Sequence, residues 1–536
     1  MSESKTSPIT LDEFPIPSYA DWRAEAESNL KGAPFDKKLI TKTFEGIDIQ
    51  PIYRKEDLEG LTHLGSLPGE APYVRGTHAD SNAWEIAKCP CAPGADPLMK
   101  LVTGTLESTL KVAFDELAKA DAIAVNSRIY HNAGGNAVQE LAFALATGVE
   151  YLRQAEQRGV SIDVAAPKFT FGFAMGADFF MGIAKLRAAR LLWARVVAAC
   201  GGNAESQKMH IHASTSLWNK SKLDPYVNML RSTTEAFSAV AGGCESLFVG
   251  AFDNVVRTPD EFSQRIARNT QVILSEECHF DHVVDPGGGS YYVESLTSQV
   301  ANAAWAIFQQ IEKDGGMTKA LEAGVPQKQV KAVAAKKAEA IAQRRLSLIG
   351  VNVYANATEK PLEGSLESEP APHKCTCGGH GNVAPQVETL ATSRGAEPFE
   401  KLRGAVSASG DAKVFLANMG PLRQHKPRAD FSTGFFQAGA FEVLENRGFQ
   451  TVDEAAAAAI ASGARVVVIC STDDTYPEIV PALAPKLKAA NLIVVVAGYP
   501  TDHIDAFKQA GVDEFIHIRS NCFQVLSGIA TKLGIS

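Results

Sequence analysis

Residues 169–200 read FTFGFAMGADFFMGIAKLRAARLLWARVVAAC. Six β-rich residues, Phe169 to Ala174, lead into a long amphipathic stretch, Phe179 to Cys200. A short strand followed by a helix of that length is a βα unit, and repeated βα units build a parallel sheet. The alternation continues on both sides. Further strands are expected at Ala122 to Asn126, Met209 to Ser214 and Ser246 to Ala251, with helices over Ala137 to Arg158 and Tyr226 to Val240. This α/β region spans 32–345 and suits a TIM-type (β/α)8 barrel, whose usual size is about 250 residues before insertions. Periodicity alone leaves a doubly wound open sheet as the structural alternative.

Residues 1–31 carry Pro15, Pro17 and Trp22 without sustained periodicity, and are expected to form an extended arm and a short helix. From 346 to 410 the pattern decays. Pro370, Pro372, Gly378, Gly379, Gly381 and Pro385 cluster there, which predicts a Pro/Gly-rich linker. Alternation restarts over 411–536, with strands expected at Val414 to Ala417, Arg465 to Cys470, Leu492 to Ala497 and Glu514 to Ile518. About five βα units on that scale predict a flavodoxin-like, doubly wound sheet.

Composition narrows the function classes. Lys plus Arg total 52 against 61 Asp plus Glu, a net charge of -9, which argues against a nucleic-acid partner. No run approaches the roughly 20 apolar residues of a membrane span. The polar, acidic start of the chain is not a signal peptide. Nine cysteines, an odd number scattered through apolar segments, read as reduced thiols and point to the cytoplasm.

Four stretches carry a resemblance. Glu140 to Tyr151 is similar to the ELAxxLAxGxEY helix of the acyl-CoA mutases, and Ile183 to Ala194 to their IAKxRAxRxLWA helix. Arg265 to Gln271 matches RIARNTQ, and Asp285 to Tyr291 resembles DPxGGSY. With the order barrel, linker and small α/β region, the chain resembles the methylmalonyl-CoA mutase family. Such chains thread a CoA ester along a barrel and draw radicals from adenosylcobalamin held by the small domain. The cofactor supplies the chemistry; the protein binds, orients and shields.

Three motifs of the catalytic chains are altered here. The cobalamin motif DxHxxG, with a lysine before it, needs a histidine for cobalt and an aspartate to orient that histidine. Aligned on Met419-Gly420, the lysine becomes Asn418, the aspartate Leu422, the histidine Gln424 and the glycine Pro427. His425 lies one residue past the expected ligand, with Arg423 where its aspartate would stand. In the segment similar to TIRQYAG, the carboxylate-binding arginine becomes Ala87 and the tyrosine Cys89; neighbouring Lys88 lacks the bidentate fork. In the segment similar to SGYHMQEAG, the tyrosine falls on Arg128 and the histidine on Ile129, with Tyr130 and His131 displaced by one or two residues. His212 matches a histidine of the strand similar to AHCQTSGW, but the accompanying glutamine is Ser214.

Kept scaffold text with three lost motifs resembles the small, non-catalytic (beta) subunit of the heterodimeric form. The resemblance implies no catalytic, cofactor-binding or metal residue in this chain. It also implies a large catalytic subunit as partner, with adenosylcobalamin and acyl-CoA bound there. Two alternatives stand beside it: a self-sufficient mutase rebuilt on His131, His212 and His425, and a free-standing regulatory binding protein. The cluster His373, Cys375, Cys377 and His380 has the donors for zinc but an unusual CxC spacing and no paired half-site, so flexible linker is the plainer reading. Gly287-Gly288-Gly289 lacks the Lys-Ser/Thr ending of a phosphate loop and reads as a turn. Cys470-Ser471-Thr472 and Ala497-Gly498 stand at strand ends where open α/β sheets place ligands, and ordinary turns explain them equally.

Overall fold

The computed structural model describes residues 14, 16–356, 358–360, 362, 387–410 and 412–535. The His373 to His380 cluster lies outside them. A small antiparallel pair, β1 (Thr41–Lys42) and β2 (Asp48–Ile49), precedes the first large sheet. That sheet is built from β3 (Glu85–Ile86), β4 (Ile123–Asn126), β5 (Phe169–Met175), β6 (His210–Thr215) and β7 (Ser246–Phe248). All are parallel, in the order β3-β7-β6-β5-β4. From β4 to β7 each strand lies beside its predecessor, with helices Ala137–Glu156, Phe179–Ala199 and Val227–Ala241 as the crossovers. Over these four strands the winding does not reverse, as a doubly wound sheet would require.

Five strands stand where the length led to an expectation of eight. After β7 the chain goes into helices instead, among them Tyr291–Lys313 and Val325–Ala342. The strand period of two separates the sheet's faces. Phe171 turns outward onto Trp193 of the 179–199 helix, ring centroids 4.7 Å apart. The facing helix comes so close that a Cβ on Gly148 would stand 2.8 Å from Trp193, so this glycine is required by packing. Asn126, Gly172, His212 and Ser246 form one register row on the inner face.

The 179–199 helix is capped by Asp178, which accepts from the Met181 amide. Its buried cations are matched one by one. Lys185 donates to Glu140 Oε2 and the Ala174 carbonyl, both at 2.5 Å. Arg190 donates to the carbonyls of Tyr73, Val74, Gly242 and Gly243. Arg187 lies between Asp285 and Glu294, 2.6 Å from the latter. The polar letters of the family-like helix text are therefore joints between elements.

The second sheet comprises β8 (Lys413–Asn418), β9 (Glu442–Leu444), β10 (Val466–Cys470), β11 (Ile493–Ala497) and β12 (Glu514–Ile516). Its order is β12-β11-β10-β8-β9, all parallel, with the winding reversed between β8 and β10. Numbered from β8, that is the 2-1-3-4-5 order of a flavodoxin-like sheet. Every residue of β10 is buried, as a central strand covered on both faces requires. Short edge strand β9 was not foreseen. Nor was helix Glu397–Ser409, which occupies part of the stretch expected as linker. No described helix is long and apolar enough to cross a membrane.

Candidate functional site

A doubly wound sheet takes ligands beyond the carboxyl ends of its strands, where the winding reverses. Here that crevice lies between the ends of β8 and β10. Gly420, at φ +79°, turns the chain out of β8, and a helix begins at Leu422 and runs to Gln437. The stretch aligned with the ligand loop is thus the first turns of a helix. Leu422 is exposed, and Gln424 folds back so that its Oε1 would lie 2.4 Å from a Cβ on Gly420. Pro427, which takes the place of the motif's turn glycine, lies inside this helix, where it has no amide hydrogen to donate. Asn418 is buried and donates to Asn446 Oδ1 at 3.1 Å; its own Oδ1 has no partner.

His425 is buried, and its Nδ1 pairs with the Gly420 carbonyl at 2.9 Å. The other edge of the ring is wedged against the 446–449 loop: a Cβ on Gly448 would stand 2.7 Å from its Cε1 and 3.3 Å from its Nε2. The neighbouring strand ends, of β10 and β11, are joined by a buried side chain. Tyr476, fully buried, donates to the Ala497 carbonyl at 2.7 Å and accepts from the Ser471 amide at 3.1 Å. Arg428 and Asp473 pair over the opening, both N–O distances 3.0 Å, close to Gly498. The sequence reading found Ser471 and Gly498 but not Tyr476 or the Arg428–Asp473 pair, which have no motif to announce them.

The other candidates gather at the first sheet. Ser127 to Asn132 leave β4 as a short helix, Arg128–Asn132, where a strand-end motif was expected. Ile129 and Tyr130 are buried, the Tyr130 ring 4.8 Å from Phe143. His131 Nε2 lies 2.8 Å from Ser216 Oγ, and its Nδ1 is 4.0 Å from Glu140 Oε2. Burial, then the charges of Lys185, Lys337, Lys220 and Arg128, hold His131 well below the usual imidazole range. It is a neutral partner of Ser216, which the sequence reading did not single out. His212 Nδ1 pairs with Ser246 Oγ at 2.9 Å, and the backbone of Pro90 and Cys89 lies in hydrogen-bonding contact with the ring. Burial, then the nearby Arg128, lowers this histidine to about 4. Arg128 turns its Nη1 onto Cys91 Sγ at 3.3 Å. Ala87 donates to the Leu247 carbonyl, and Cys89 sits half-buried on the following turn.

His131, His212 and Arg128 thus cluster at one sheet, while His425 belongs to the other. Among the described residues no group of three His, Cys, Asp or Glu side chains is arranged to hold a metal ion. None of the seven described cysteines is in a disulfide.

A family model for methylmalonyl-CoA mutase matches this sequence in two segments, residues 42–96 and 94–373. The chain belongs to the methylmalonyl-CoA mutase family. The small subunit of methylmalonyl-CoA mutase from Porphyromonas gingivalis is 34% identical over 619 aligned positions, covering 98% of each chain. That span is 83 positions longer than this chain, so the relative holds at least that many residues which this chain lacks. The small subunit from Streptomyces virginiae is 38% identical over 83% of this chain and 70% of its own. That from Propionibacterium freudenreichii subsp. shermanii is 31% identical over 95% and 92%. Helices Ala137–Glu156 and Phe179–Ala199 and the Asp285 to Tyr291 turn all lie within the second matched segment.

Proposed function

We propose that this chain is the small subunit of a two-subunit mutase. A large catalytic subunit binds adenosylcobalamin and acyl-CoA and interconverts succinyl-CoA and (R)-methylmalonyl-CoA. In this reading the first sheet belongs to an acyl-CoA mutase barrel, the second is a cobalamin-binding-type domain with a degenerate motif, and the complex works in the cytoplasm. The chain itself contributes no catalytic residue. Its part is to hold shape beside a related subunit, an arrangement that suits pseudo-twofold packing.

The helix that starts at Leu422 carries the reading. A histidine that held the cofactor's metal would need a carboxylate or similar partner to orient its ring. At this position Leu422 has no hydrogen-bonding group. His425 is the nearest imidazole, and it points its Nδ1 at a backbone carbonyl and its far edge at Gly448. These residues do not fit a corrin's lower ligand, and no reaction step is assigned to the cofactor on this chain. The names of the relatives support the same conclusion.

The test is co-expression with a motif-intact homologue. The two chains are expected to purify as an equimolar complex that turns over methylmalonyl-CoA, while this chain alone shows neither turnover nor a histidine-ligated adenosylcobalamin spectrum. Turnover or a stoichiometric histidine-on spectrum from the isolated chain would instead establish the self-sufficient enzyme.

A further inference from the structure

The two family-matched segments meet at residues 94–96. In the fold, that junction sits at the end of an unusual crossing. Glu85 and Ile86 pair with Ser246 and Leu247 on one edge of the first sheet, and the Ala87 amide donates to the Leu247 carbonyl at 2.9 Å. Eight residues after Ala87, Ala95 is hydrogen-bonded to the opposite edge. Its amide donates to the Ala122 carbonyl and its carbonyl accepts from Ala124, both at 3.0 Å. Between these anchors the chain meets the inner-face row strand by strand. The backbone of Cys89 and Pro90 lies beside His212 of β6. A Cβ on Gly172 of β5 would stand 3.5 Å from the Ala92 Cβ. The Ala92 amide donates to Asn126 Oδ1 of β4 at 2.8 Å, and Asn126 Nδ2 returns a bond to the Ala92 carbonyl at 3.3 Å.

We propose that residues 87–94 are a transverse strap that stands in for family strands this chain lacks, closing the shortened sheet edge to edge and filling its inner face so that no acyl-CoA passes along it. Eight residues suffice, because extended chain spans about 3.3–3.6 Å per residue and adjacent strands lie about 4.8 Å apart. Gly94 makes the landing. Its φ of +133° suits only glycine, and a Cβ there would lie 2.8 Å from the Ala122 carbonyl group. The strap also leaves marks on what it covers. The Cys89 and Pro90 backbone is bonded to the His212 ring, while Arg128 Nε is buried beside the strap without a partner. Such an orphan is uncommon in a settled core, and it fits a backbone segment laid over a side chain not chosen to meet it. The strap's consequence for ligands goes beyond the subunit reading and holds whichever partner the chain has.

Hydrogen exchange and thiol alkylation on the full chain decide it. The amides of Ala87, Ala92, Ala95 and Ala124 are expected to exchange only through opening events. Cys91 is expected to react with N-ethylmaleimide at least ~100-fold more slowly than exposed Cys278, and millimolar propionyl-CoA is expected to change neither readout. Asn126→Ala removes the central pin and is expected to speed Ala92 exchange and Cys91 alkylation about tenfold, the loss of one or two hydrogen bonds. Three outcomes overturn the strap, and all can be read on the unsubstituted chain even if the variant does not fold. They are Cys91 reacting as fast as Cys278, strap amides exchanging as an exposed loop does, and propionyl-CoA altering exchange in 87–94. None of them bears on co-purification with a large subunit.

Discussion

Replacing Arg187 by methionine removes the cation that ties the 179–199 helix to the Asp285 turn. The side chain is fully buried, bonded to Asp285 through Nη1, to Glu294 through Nη2 at 2.6 Å and to Thr297 Oγ1 at 3.3 Å. Burial by itself would raise the Glu294 carboxyl. The hydrogen bond from His63, the charge of Arg187 and the Gly289 amide overcome it and hold the group at about 2. A carboxyl depressed from 4.5 to about 2 contributes stability that is present above pH 4.5 and lost as the pH falls toward 2, about 3 kcal/mol in the neutral range. Methionine fills the volume but leaves Glu294 facing Asp285, which keeps only Arg75 at 3.0 Å. Breaking one partner out of a buried ionic group costs about 3–5 kcal/mol, and that is the expected loss in urea unfolding at pH 7. The variant should then regain ground on acidification. Its buried carboxyl takes up a proton that the parent chain refuses, so the gap narrows by up to about 1.4 kcal/mol per pH unit between pH 7 and 4.5. A gap below about 1 kcal/mol at pH 7, or one that stays constant down to pH 4.5, would refute the reasoning.

Lys337 gives the opposite pH dependence. Burial lowers it from 10.5 to about 8 despite the charges of Glu45 and Glu140, and its Nζ donates to the Gly135 carbonyl at 2.6 Å. A lysine depressed by folding costs stability below its folded value, and that cost disappears as the pH rises toward 10.5. Relative to Lys337→Met, the parent chain should therefore gain about 2–3 kcal/mol between pH 7.5 and 10.5; a flat difference in parallel urea melts would contradict the burial argument. Gly448→Ala is expected to lose about 1–3 kcal/mol, because φ is +87° and the new Cβ would stand 2.7 Å from His425 Cε1. A loss under about 0.5 kcal/mol in thermal melts would show the His425 ring free to move out of the loop.

The sequence was most informative where one period dominates. The strand of 169–175 and the helices of 137–156 and 179–199 lie within two residues of where alternation and amphipathic stripes place them. Edge strand β9 escaped because Glu442–Leu444 is three residues long and only partly buried, too short to show a period. The eight-strand expectation went astray because length was converted into strand count, whereas the residues after β7 were spent on helices. Ser127 to Gly134 is a subtler case. It aligns with a strand-end motif, yet Arg128–Asn132 turned helical, so the two-residue displacement of His131 is taken around a helix and not along a strand. It sets the imidazole on Ser216 instead. Contacts between distant segments, such as Arg128 with Cys91 or Tyr476 with Ala497, leave no local period and no spacing to read.

The three histidines that looked most able to rebuild a catalytic site share a physical fate. A ligand or general base must offer a nitrogen to open space. His131 spends its Nε2 on Ser216, and His425 spends its Nδ1 on the Gly420 carbonyl with Gly448 against the other edge. His212 spends its Nδ1 on Ser246, the Cys89 and Pro90 backbone is bonded to the ring, and burial with Arg128 lowers it to about 4. Sequence position alone ranks His425 first of the three, one step from the expected ligand. Geometry ranks it behind His212, since freeing the ring of His425 means dismantling a tight loop that also carries the Asn418–Asn446 bond. A shift of one residue along a helix that begins at Leu422 turns the side chain by about 100°, and that rotation carries the imidazole from the face of the crevice into the wall behind it.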